Sequence, residues 1–136
     1  MTTYLDNILE ILEKFIKSFV KKKNQKRLLY LLSKPKRKED LLWELLHDSR
    51  YFDDSCLKDL SQLNYNEIIE QIKSKVKNQK LHVYCTLMFH DKNYKLYIDE
   101  AFDKRKDFSE DLIFITEDCR LAYFENHEGE QYLLMK

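Results

Sequence analysis

The period of the apolar residues changes once along this chain, near Lys80, and that change constrains the fold more than any other feature. Before it, Leu5, Ile8, Leu9, Leu12, Phe15, Ile16, Phe19 and Val20 recur at i, i+3, i+4 and i+7, the spacing of one apolar helix face. This predicts a helix over about 4–22, opened by a variant capping box from Thr3 to Asp6. Glu10–Lys14 and Glu13–Lys17 are i,i+4 pairs in the favourable order, and Lys21–Lys23 suit the negative end of the helix dipole. Residues 25–33 predict a second helix, ended near Pro35 because the proline ring disfavours a helical residue before it. Residues 36–48 predict a third, with Leu41, Leu42, Leu45 and Leu46 inward and Trp43 on its flank. Asp54 or Ser55 is placed to cap a short helix through Leu63. Asn64 with Glu67 opens a last helix, Tyr65 to about Asn78, that buries Ile68, Ile69, Ile72 and Val76.

After Lys80 the period is two. HVYCTLMF (82–89) and YKLYID (94–99) read as a hairpin turning through His90 to Asn93. LIFIT (112–116), RLAYFE (120–125) and QYLLMK (131–136) follow with short polar turns, while 100–110 reads as a loop or one helical excursion. Helices and strands segregated in this way specify the α+β class, in which no parallel crossover is needed. The expectation is a single domain, 1–136, with an N-terminal helical half packed on a C-terminal antiparallel meander sheet of about five strands. Gly129 and Pro35 are the only glycine and proline, which excludes a Gly/Pro-rich linker and a glycine-rich phosphate loop.

Charge is laid out unevenly. The chain has 24 basic and 24 acidic residues, yet Lys14 to Lys38 contains no acid and eleven bases. These are Lys14, Lys17, Lys21, Lys22, Lys23, Lys26, Arg27, Lys34, Lys36, Arg37 and Lys38, so the remainder holds 13 bases against 24 acids. A one-signed field of this kind selects the sign of a partner without specifying a fold. As a nucleic-acid footprint the stretch lacks interleaved aromatics and base-reading side chains. As a membrane-surface element it is contradicted by Asp6, Glu10 and Glu13 on the polar face of the first helix. KKKNQKR and KPKRK also fit the loose pattern of a nuclear-import signal. A solvated helix end plus a connecting loop, rich in lysine through codon bias (19 Lys to 5 Arg), is the plain alternative.

The strands carry apolar groups on both sides. Val83, Cys85, Leu87 and Phe89 alternate with Tyr84 and Met88, and Tyr97, Phe114, Ala122 and Phe124 oppose Leu96, Ile113, Ile115, Leu121 and Tyr123. A half-solvated antiparallel sheet is polar on its outer face. Either helices cover both faces, or one face is an aromatic binding or dimer surface using Tyr84, Tyr97, Phe114 and Phe124.

Catalytic and metal signatures are weak. His47, His82, His90 and His127 have no ligand spacing with one another or with cysteine, and two of them fall in predicted turns. Cys85 reads as a small core residue, Cys119 as a turn residue open to solvent, and Cys56 as lying near a helix start. The C-terminal carboxylates fall at strand ends and loops and read as an acidic rim. No catalytic residue, metal ligand or cofactor is therefore expected. The N-terminus carries acids where a secretion signal needs positive charge, and no apolar run approaches the roughly 18 residues of a membrane span. With three widely spaced cysteines, the expectation is a reduced, cytoplasmic setting and no membrane partner.

LIFITEDCRLAYFENHEGEQYLLMK (112–136) and KRLLYLLSKPKRKEDLLWELLHD (26–48) resemble the two halves of a group of small bacterial α+β proteins of unknown function. The resemblance rests on a Leu-Ala-Tyr hairpin strand and a short Glu-rich turn, and it implies that fold without an activity or cofactor. Together these readings predict a non-enzymatic interaction module of the adaptor or inhibitor kind, such as an immunity protein. Its partner would be another protein or a second copy, held through Lys21, Lys22, Lys23, Lys26, Arg27, Lys36, Arg37, Lys38 and the four sheet aromatics. The alternative is nucleic-acid binding through 14–38.

Overall fold

A computed structural model of the chain describes residues 4–34, 37, 40–41, 44–45, 49–76, 82–87, 93–105, 111–126 and 128–135; for 4–8, 82–87, 93–95 and 104–105 the backbone alone is described. Among the described residues, four continuous helices run Tyr4–Phe19 (α1), Lys22–Leu32 (α2), Tyr65–Lys75 (α3) and Ile98–Arg105 (α4). The strands are Leu57–Asp59 (β1), His82–Leu87 (β2), Asn93–Tyr97 (β3), Leu112–Thr116 (β4), Leu121–Glu125 (β5) and Gln131–Met135 (β6). The chain is α+β, with its helices mostly in the N-terminal half.

The first helix ends three residues before the expected boundary, and the reason is tertiary. Lys21 N donates to Tyr51 O at 2.8 Å and Asp53 N donates to Phe19 O at 2.7 Å. Val20 pairs with Phe52 as an isolated bridge, so residues 51–53, which leave the 3-10 turn Ser49–Tyr51, take the backbone groups that another helical turn would have used. The chain turns at Lys21, and α2 packs antiparallel to α1 as a helical hairpin. Gln25 Nε2 donates to Val20 O at 2.9 Å across the corner. Of the helix expected over 36–48, Asp40, Leu41, Glu44 and Leu45 are helical; Leu42, Trp43 and Leu46 lie outside the described residues.

The expected start of α3 is present in full. Asn64 Oδ1 accepts from Glu67 N at 2.9 Å while Glu67 Oε1 accepts from Asn64 N at 3.1 Å, a reciprocal capping box. Asn64→Ala is expected to cost about 1 kcal/mol, within a range of ~0.5–2, because the Glu67 N–H at the helix end loses its side-chain acceptor. A urea midpoint identical to that of the parent chain would refute this. The strand expected over 94–99 ends at Tyr97, and Ile98–Arg105 form α4, the helical one of the two alternatives expected after residue 100; Glu100 Oε1 reaches back to accept from Tyr97 N at 3.1 Å.

All the strand pairings are antiparallel, in the order β1-β6-β5-β4-β2-β3. The five expected strands are present, with two corrections. The sheet is not a simple meander: β4 pairs with β2 rather than with β3, because the connection through α4 carries the chain back across the hairpin. The second concerns the short helix expected from Asp54 to Leu63. It is a single 3-10 turn, Asp54–Cys56, followed by β1, which pairs with the outer edge of β6. Asp53, rather than Asp54 or Ser55, caps that turn, its Oδ1 accepting from Ser55 N at 3.1 Å. The unpaired edge of β6 supplies what a further helical turn lacks: a row of backbone partners that also sends Leu57 and Leu60 to opposite sides of the sheet.

The turn from β5 to β6 uses the single glycine. Gly129 has φ +85°, a conformation that glycine adopts without strain. Asn126 Oδ1 accepts from Glu128 N at 3.1 Å and Glu130 N at 3.0 Å, and Ser49 Oγ donates to Glu130 Oε2 at 2.6 Å.

Two cores result, one on each face of β4–β6. On one side α1 and α2 bury Leu12, Phe15, Ile16, Phe19, Leu28 and Leu31 against Ile113, Ile115, Ala122, Phe124 and Leu134. On the other, α3 and α4 bury Ile68, Ile72, Val76, Ile98 and Phe102 against Leu112, Phe114, Leu121, Tyr123 and Leu133. The strict alternation of a strand explains why neighbouring residues fall in different cores. The sheet is thus the middle layer of three.

Candidate interaction surface

The two-sided burial removes two of the four sheet aromatics from any surface. Phe114 is 4% and Phe124 0% exposed, and both are core residues rather than contacts for a partner. Phe114 packs edge-on against Phe102 with ring centroids 5.2 Å apart, and Phe124 against Phe52 at 4.9 Å. Tyr97 remains exposed at the end of β3; the Tyr84 side chain lies outside the described residues.

The groups with chemical potential mostly serve the fold. Cys119, expected to face solvent, is buried in the turn after β4, with φ +57° and Sγ 4.0 Å from Ile11 O. Cys56 is also buried, and the side chain of Cys85 lies outside the described residues, as do those of all four histidines. Among the described residues, no group of three His, Cys, Asp or Glu side chains is arranged to hold a metal ion. Glu125 accepts from the Tyr123 hydroxyl at 2.7 Å and the Tyr65 hydroxyl at 3.1 Å. Burial first, and then the Glu125 charge, push the Tyr123 phenol far above the usual tyrosine range, so it stays a proton-bearing donor. Among the described residues, no helix is long and apolar enough to cross a membrane.

From Lys14 to Arg27 the basic stretch lies on the α1–α2 hairpin, and its described members differ in how they are engaged. The arginines are engaged. Arg27 grips Glu44 with both arms of its fork, Nε to Oε2 at 3.0 Å and Nη2 to Oε1. Those hydrogen bonds hold the Glu44 carboxyl below the usual carboxylate range. Arg37 pairs with Asp40 three residues on, and Lys17 with Glu13 at 3.2 Å. By contrast Lys21, Lys22, Lys23 and Lys26 make no side-chain ion pair or hydrogen bond. The last three are exposed, and Lys36 and Lys38 lie outside the described residues.

These lysines crowd the end of α2 that suits them least. Lys21 is its N-cap and offers no side-chain acceptor, and the first turn contains no acid. A helix N-terminus carries a partial positive charge and four unsatisfied N–H groups, which favour anions. Three successive lysines there oppose the dipole and raise the local positive potential. Local conflicts of this kind are concentrated where a sequence serves something other than stability.

One functional candidate was not flagged by the sequence reading. Tyr30 is 58% exposed, the most exposed large apolar side chain among the described residues. Lys34 Nζ sits over its ring, 5.3 Å from the centroid. The available signal was its place at i+4 from Lys26 and i−4 from Lys34, an aromatic on the polar stripe of an amphipathic helix. Compared with protein-family models, curated proteins and solved structures, the chain matches none of them.

Proposed function

We propose that this protein is a non-enzymatic, intracellular interaction module that docks an acidic protein partner at the α1–α2 corner, through Lys21, Lys22 and Lys23. The observation that carries this reading is the division of labour within the basic stretch. Its planar forks, the best groups for bidentate recognition of phosphate, are turned to carboxylates of the same chain, while the lysines Lys22, Lys23 and Lys26 face outward. Exposed lysines steer an acidic partner and quicken association, and they serve less well as the anchors of a nucleic-acid site. Tyr30 offers little as a base-stacking platform, because the Lys34 ammonium occupies one of its faces.

The test is affinity capture from nuclease-treated lysate, comparing the parent chain with Lys21→Gln/Lys22→Gln/Lys23→Gln. Proteins retained by the parent and lost by the triple variant support the reading, with stability changed by under about 0.5 kcal/mol. A second variant separates function from folding. Lys21→Asp supplies the missing cap acceptor and an anion at the positive helix end, so it is expected to raise stability by about 0.5–2 kcal/mol while weakening capture. Submicromolar binding of fluorescent DNA or RNA near about 0.15 M salt, abolished by the triple Gln change, would overturn the protein reading in favour of nucleic acid.

A further inference from the structure

We draw no further inference here: the strongest candidate, the groove between α1 and α2 lined by Leu9, Leu29 and Leu32, has on its rim Glu13 already paired with Lys17 at 3.2 Å, and nothing in the structure shows what covers it.

Discussion

Phe15→Ala is expected to destabilise the chain by about 3–5 kcal/mol, a large part of the roughly 5–15 kcal/mol that holds a domain of this size folded. Phe15 is fully buried, one turn before the end of α1, and links two elements through ring contacts. Its centroid lies 5.3 Å from that of Phe19 on the same helix and 5.9 Å, edge-on, from that of Phe52. Phe52 in turn meets Phe124 of β5 edge-on at 4.9 Å. Removing the Phe15 ring leaves a hole bounded by a helix on one side and the 51–53 segment on the other. That segment is pinned by backbone hydrogen bonds to Phe19 and Lys21, so it cannot move in to fill the gap. Close-packed interiors transmit such a loss into cavity energy as well as lost transfer energy. Urea unfolding measures it, and a loss below about 1 kcal/mol would mean that α1 is not integral to the core.

Phe114→Ala is expected to cost a similar amount, about 3–5 kcal/mol, through the other core. The ring is 4% exposed and packs against Phe102 at 5.2 Å and Tyr123 at 5.9 Å. Here stability is the readout, because a ring inside the sheet–α4 layer touches no partner. The two cores lie on opposite faces of the sheet, so the milder pair Phe15→Leu and Phe114→Leu should add to within about 0.5 kcal/mol. A coupling energy well beyond that figure would show that the sheet transmits packing strain from one layer to the other. Phe15→Leu with a substitution at Phe52 is the contrasting pair, since those rings touch and should not be additive.

Much of the architecture was legible in short windows of sequence. The helical stripe from Leu9 to Val20, the Asn64–Glu67 box and the five alternating strands rest on interactions within a few residues, and each is present. The exposure of Lys22, Lys23 and Lys26 was equally readable, because a charged side chain next to an apolar stripe has nowhere else to go. Other properties depend on residues distant in the chain. Periodicity states that Phe114 and Ile113 face opposite sides of a strand, but not that a helix covers each side. The aromatic surface expected of Phe114 and Phe124 therefore proved to be two interiors. Residues 57–59 have no strand period of their own and become β1 because β6 offers an open edge. The early stop of α1 follows from pairing with residues more than thirty positions away. Arg27 looked like part of a partner-binding cluster until the fold brought Glu44 to it from 17 residues on. The groove between α1 and α2 exists only once the two helices fold against each other. The sequence by itself determined which faces are apolar, which ends are capped and where the charge lies. The tertiary structure alone decided what covers each face and which charges remain for a partner, because long-range packing and pairing outweigh the weaker preferences of local segments.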